Sequence, residues 1–279
     1  MESSFILGIT TFVYMAATVF YVAYAVFRKE MMAKTGLITL VIAILANSAG
    51  IGLRWLETHQ QGIGYVPLSN MYESLVFFAL CIAVLYLFIE LQYKVKIFGT
   101  YIVPFAFLAM AYASYSPEFG KGIKPLLPAL QSNWLVAHVV TCFIGYAAFT
   151  VACGMALFYL LKSYQSSGKV PDSKSLQFLK TIDNINYKMI VFGFIWLTAG
   201  IITGAVWANS AWGTYWSWDP KETWSLITWF VYALALHARY TRGWDGFRMS
   251  VASIIGFISV IFTYYGVNFL LSGLHSYGG

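Results

Sequence analysis

Charge is the scarcest resource in this chain. Only 10% of its 279 residues are Asp, Glu, Lys or Arg, against roughly 25% in a soluble domain, so a soluble globular fold is excluded. Cysteine is nearly absent too: Cys81, Cys142 and Cys153 all lie inside apolar runs and form neither a CxxC nor a CxxCH pair. A disulfide framework and a thiol redox centre are therefore unsupported, and the three read as small buried hydrophobes. Acidic residues number 11 and sit almost entirely at the ends of apolar runs. A transporter of another solute, which places broken helices and ionisable groups at mid-membrane, remains a weaker alternative for that reason. No basic segment precedes the first apolar run and no A-x-A type end follows it, so that run reads as a retained span and not a cleaved signal. Repeats and low-complexity tracts are lacking as well.

Apolar side chains make up 59% of the chain and aromatics 19%. With about 20 apolar residues per crossing, eight spans are expected: Phe5 to Phe27, Gly36 to Leu53, Glu73 to Leu91, Ile97 to Tyr115, Trp134 to Leu161, Tyr187 to Trp207, Glu222 to Tyr240 and Met249 to Leu271. The expected fold is a single all-α integral membrane domain over residues 1–279. The net charge of +6 does not point to nucleic acid, because 13 of the 17 Lys and Arg residues fall in the gaps after spans one, three, five and seven. That bias puts those gaps in the cytoplasm and both termini outside it. The longest cytoplasmic gap, Ser163 to Asn186, reads as a solvated linker with a Gly168, Pro171 break and a short amphipathic helix around Leu176, Phe178, Leu179 and Ile182. On the outer side, Arg54 to Asn70 and Ser116 to Asn133 are placed to form ledges.

Between the sixth and seventh spans lies the most unusual stretch, an external loop over residues 208–223. Trp212, Tyr215, Trp216 and Trp218 crowd into it, and Trp224 follows. Asp219 is placed to cap the next helix, with Pro220 at its first position and Glu222 completing a capping box. One reading of the rings is an interfacial aromatic belt. The other, better suited to so many rings in one loop, is a platform for a flat apolar ligand.

Histidine is rare, with four residues. His138 lies one turn inside the outer end of the fifth span and His275 just beyond the outer end of the eighth, so both fall at the depth of the loop. Each alone suits a polar contact or a frayed terminus; together across an aromatic platform they suit the two axial positions of haem iron. His237 belongs to the cytoplasmic half of the seventh span, roughly 27 Å from Asp219 at 1.5 Å per residue. It is either a structural residue at a helix C-terminus or part of a second, deeper site. His59 reads as solvated.

The run Trp212-Gly213-Thr214-Tyr215-Trp216-Ser217-Trp218-Asp219-Pro220-Lys221-Glu222-Thr223-Trp224 resembles the WWD signature of haem-handling proteins. It is most similar to the CcsA (ResC) family of the System II cytochrome c biogenesis pathway. Pro67 to Phe77, Trp134 to His138, Gly145 to Ala148 and Gly266 to Tyr277 extend the resemblance. It implies a subunit of a holocytochrome c synthase, a cytochrome c haem lyase, with haem b as both substrate and ligand. The haem would be held reduced between His138 and His275 and joined to the CxxCH thiols of apocytochrome c. His237 would be one of two histidines of an intramembrane haem site. The other belongs to a CcsB (ResB)-type membrane partner, which this chain lacks; a thioredoxin-like thiol reductant is a further expected partner. No side chain is assigned as an acid or base, and Lys221 or the helix N-terminus is placed to face a haem propionate. The alternative is a CcmC-like or HemX-like protein that delivers haem without attaching it. The membrane expected is a bacterial plasma membrane, the thylakoid being the other choice.

Overall fold

The computed structural model describes residues 2–117, 119–165 and 173–271. Among these the chain forms eight long helices: α1 (Glu2–Phe27), α2 (Glu30–Gln60), α3 (Met71–Tyr93), α4 (Gly99–Tyr115), α5 (Asn133–Gln165), α6 (Ser173–Trp212), α7 (Pro220–Arg242) and α8 (Gly246–Ile261). A π-turn (Phe262–Gly266) and a short α9 (Val267–Leu270) continue α8. Seven of the crossings expected from sequence are long and apolar enough to pass a membrane. The eighth, α7, has the length at 23 residues but is markedly less apolar. Lys221, Glu222, His237, Arg239 and Arg242 lower its average, and its apolar residues are drawn to one side.

Two boundaries differ from the sequence expectation. The amphipathic helix expected around Leu176 is the first part of α6, which runs unbroken for 40 residues from Ser173. Leu179 and Ile182 are buried, so packing carries the helix through a stretch whose polarity suggested a linker. The Gly168, Pro171 break lies outside the described residues. At its other end α6 continues through Trp212, which leaves only residues 213–219 of the expected loop without helix before α7.

α5 is the central helix, packed against α3, α4, α6 and α8, and its pairing with α6 is the most extensive in the molecule. Glycine makes that pairing close. A Cβ on Gly145 would stand 3.1 Å from both the Gly193 carbonyl oxygen and the Leu197 nitrogen, and one on Gly193 would meet the Phe149 ring at 2.6 Å. Further along, Cβ atoms on Gly200 and Gly204 would run into Cys142 Sγ at 2.5 Å and His138 Nδ1 at 2.6 Å. Small residues let membrane helices approach until backbone meets side chain, which is the main attraction available where lipid is as apolar as the helix surface.

Gly145→Val is expected to force the two helices apart and lower the thermal unfolding midpoint in detergent, with an overpacking cost of about 1–3 kcal/mol. Gly8→Ala, with nothing within 4 Å of its new Cβ, is expected to leave the midpoint unchanged or slightly raised.

Candidate functional site

Five helix ends converge on one cleft. α3 contributes Met71 and Ser74, α5 contributes Leu135, His138 and Cys142, the last turns of α6 contribute Gly204, Ala205 and Trp207, the start of α7 contributes Lys221, Glu222 and Ser225, and the π-turn after α8 with α9 adds Thr263, Tyr264 and Asn268. Tyr215 and Trp216 lie along it from the aromatic loop, and Leu68, Ser69, Asn70 and Leu130 from the two expected ledges. The cavity measures about 180 Å³.

His138 is fixed by the close α5–α6 pairing. Its Nδ1 lies 2.8 Å from the Gly200 carbonyl oxygen, which can only accept, so Nδ1 carries the proton and the in-plane lone pair is on Nε2. A metal-binding imidazole is commonly held in just this way, by a hydrogen bond from the other nitrogen. Trp207 stacks on the ring with centroids 5.9 Å apart and planes within 16°. Trp207 is in turn held by Nε1 donating to the Ala129 carbonyl at 2.8 Å and by an edge contact to Trp212 at 4.9 Å. Nothing in the sequence separated Trp207 from the interfacial tryptophans; its part depends on the seam that brings α6 against His138.

The loop is shaped by its connection to α7. Gly213 (φ +81°) and Trp218 (φ +61°) both adopt the left-handed conformation, which is uncommon for a bulky residue. Glu222 holds the turn: its Oε2 accepts from Ser217 N at 2.8 Å, Ser217 Oγ at 3.3 Å and Asp219 N at 3.2 Å. Asp219 Oδ1 accepts from Lys221 N at 2.9 Å, so the expected cap and capping box are both present. Trp216 and Trp218 meet edge to face at 5.7 Å. Tyr215 and Trp218 are exposed.

The structure does not gather every residue proposed from sequence. Trp224 turns away from the cleft and packs on Phe262 of the π-turn at 4.1 Å. His237 lies far along α7, exposed, on the stripe formed by Ile227, Phe230 and Leu234. His59, also exposed, is within 2.9 Å of its own helix's Trp55 carbonyl through Nδ1. His275 lies outside the described residues.

Lys221 lies half-buried in the cleft wall, its Nζ donating to Asn268 Oδ1 at 2.8 Å. Burial pushes the ammonium pKa down to about 8, with the Asp219 carboxylate pulling the other way. Asn268 is oriented by donating Nδ2 to the Tyr264 carbonyl at 2.7 Å, inside a π-turn of the kind that often marks functional positions. Behind the first ledge, buried Arg54 donates Nε to Glu73 Oε1 at 2.8 Å and Nη1 to the Lys121 carbonyl at 3.0 Å. Glu73 Oε2 in turn accepts from Ser69 N and Oγ at 2.9 and 3.0 Å. This buried pair ties the ledge at Ser69 to both outer loops.

A bundle of membrane-crossing helices with an aromatic, imidazole-bearing cleft at one end is the class that fold and site define. A family model described as "Cytochrome C assembly protein" matches residues 68–275, and the chain belongs to that family; its role lies in cytochrome c biogenesis. It is 36% identical to a cytochrome c biogenesis protein CcsA of Trieres chinensis, covering all of this chain and 96% of the relative. A CcsA of Mesostigma viride is 42% identical over 82% of this chain and 81% of its own length, and one of Gloeobacter violaceus 36% identical over 95% and 92%. Among solved structures, cytochrome c haem lyase CcmF shares the fold with a TM-score of 0.67 at 16% identity. The match covers 94% of this chain but only 46% of CcmF.

Replacing Glu222 with Ala removes the acceptor of two backbone amides. Hydrogen exchange at Ser217 and Asp219 is expected to speed up about 30-fold, the equivalent of about 2 kcal/mol of local opening, while the α3 amides keep their wild-type rates.

Proposed function

We propose that the cleft receives haem b as substrate on the extracytoplasmic side and presents it for covalent attachment to the CxxCH thiols of apocytochrome c. The observation that carries this is His138, an imidazole whose Nδ1 hydrogen bond leaves Nε2 as the coordinating nitrogen, set among Trp207, Tyr215 and Trp216. A flat apolar macrocycle with an iron at its centre and carboxylates at one edge asks for those groups and for a cation, which Lys221 supplies.

The cavity of about 180 Å³ is smaller than the roughly 300–1,000 Å³ that enclose a whole drug-sized ligand. A porphyrin held here would extend beyond the cavity, on the side where Tyr215 and Trp218 are exposed. Such a half-open seat suits a substrate whose vinyl edge must meet a second protein. Each thioether forms by adding a thiol S–H across a vinyl C=C, so no atom is lost, and the chain's contribution is orientation and exclusion of water.

His275 is proposed as the second axial ligand, opposite His138. Trp212 and Asp219 shape the loop and Trp224 supports the π-turn, so their part in the site is indirect. His237 is proposed to contribute to an intramembrane haem site completed by a CcsB (ResB)-type partner, because it stands exposed on α7 where another helix can reach it. A thioredoxin-like thiol reductant would keep the apocytochrome cysteines reduced. A bacterial plasma membrane or a thylakoid is the proposed setting.

Chain purified from haem-replete cells is expected to show a reduced haem spectrum that weakens in His138→Ala and returns with added imidazole. Equal haem in wild type and variant, with no imidazole effect, would remove His138 from the site. Co-expression with a CcsB-type partner and an apocytochrome separates attachment from delivery, since only attachment yields haem that survives denaturation.

Retention of the anionic porphyrin should also fall as pH rises from 7 to 9 in the wild type, because the Lys221 ammonium loses its proton as pH passes about 8. In Lys221→Gln the retention is expected to be weaker at pH 7 and flat across that range.

A further inference from the structure

A second cavity, larger than the first at about 510 Å³, lies at the opposite end of the bundle. It is bounded where α1 ends, α3 turns into α4, α5 ends and α6 begins. Its polar wall is basic: Arg28, Lys94, Lys96 and Lys162 come from three separate parts of the chain. Apart from Gln165, the rest of the lining is aromatic and aliphatic, including Tyr24, Tyr101 and Phe158.

Only one of the four cations is neutralised. Lys96 pairs with Glu30, whereas among the described residues Arg28, Lys94 and Lys162 form no ion pair with a carboxylate. Arg28 and Lys94 both adopt the left-handed conformation, with φ of 56° and 58°, immediately after α1 and at the C-cap of α3. Helix C-termini explain a preference for cations one at a time. They do not explain three unpaired cations around one cavity with an apolar floor.

We propose that this cavity binds the phosphate headgroup of an anionic phospholipid, with the cations on the phosphate and the first acyl segment along Tyr24, Tyr101 and Phe158. Basic pockets between membrane helices on the positively charged side recognise such headgroups. The cavity lies at the ends of helices long and apolar enough to cross a membrane, whose exposed faces near it carry Val22, Val26 and Leu161.

The test uses the full chain reconstituted in nanodiscs of equal phosphatidylglycerol and phosphatidylcholine, released into the gas phase and weighed with its retained lipid. One phosphatidylglycerol is expected to be kept in preference to phosphatidylcholine. The preference should fall on the order of a hundredfold in R28Q/K94Q/K162Q, at about 1 kcal/mol per cation, and persist in K29Q/K34Q/R248Q. That control removes the same charge from the same side without touching the cavity. Equal retention of both lipids by the wild type would overturn the proposal, as would an equal loss in the control variant. Displacement of the lipid by millimolar inorganic phosphate alone would assign the cavity to a soluble anion and overturn the lipid assignment. If the triple variant fails to fold, its thermal midpoint will show it, and Lys162→Gln alone, expected to lose about fivefold, carries the same comparison.

Discussion

The close approach of α5 and α6 is the constraint on which the aromatic cleft depends. Four glycines, Gly145, Gly193, Gly200 and Gly204, let the two helices approach so closely that a Cβ would crowd the facing backbone at Gly145 and collide with facing side chains at the other three. Because of that distance, His138 reaches a main-chain carbonyl of the facing helix and not merely a side chain. Gly200 O already belongs to the helical ladder, and Thr203 Oγ1 also donates to it at 3.1 Å. The imidazole is thus anchored to a group that cannot rotate. Trp207, one turn beyond Gly204, closes on the ring because the same seam has brought α6 there. A looser pairing would leave the histidine and the tryptophan both present and unrelated.

Around that seam the outer surface is assembled from loops tied down by carboxylates. Glu222 gathers the tryptophan loop against the start of α7, and Glu73 gathers the ledge at Ser69 while paired with Arg54. The two acids differ in setting. Glu222 is at the solvent edge, where its bonds to backbone amides set a loop conformation that Trp218 would not adopt unaided. Glu73 and Arg54 are 2% exposed each, and a buried pair of this kind adds little net stability while being costly to break. Its value lies in fixing geometry: removing either partner would strand the other charge behind the ledge.

Features governed by local chemistry were legible in the sequence. Span length, the capping box at Asp219 and Glu222, the position of His138 at the same end as the tryptophan loop and the two ledges beside it all follow from periodicity and helix-end preferences. What escaped depends on neighbours distant in sequence. Trp207 entered only as the end of the sixth span, since its contact with His138 comes from residues 69 positions apart in the chain. Trp224 looked like part of the platform but faces Phe262, because the helical twist after a fixed cap turns it from the cleft. The π-turn at Phe262–Gly266 left no mark that distinguishes it from ordinary helix, and Arg54 stood out only as the first residue of a ledge, with nothing to mark its buried pairing with Glu73. α6 outran its expected start because tertiary burial of Leu179 and Ile182 outweighed a polar composition.

The space between the two cavities is filled. Phe149 stacks on Tyr232 with centroids 3.6 Å apart and planes within 6°, and Ala147, Ala148, Val151 and Ala152 are fully buried beside it. A porphyrin moving along the bundle axis would have to displace that stack and open the glycine seam, since cores packed to this density do not part by small adjustments. The exposed stripe of α7 imposes no such demand. Ile227, Phe230 and Leu234 offer an apolar face with His237 on it, so a large flat substrate or a partner helix reaches that imidazole from the side without unpacking the core. The packed axis and the exposed histidine are both consistent with the proposed intramembrane site at His237 being approached from the flank of α7 and not through the core.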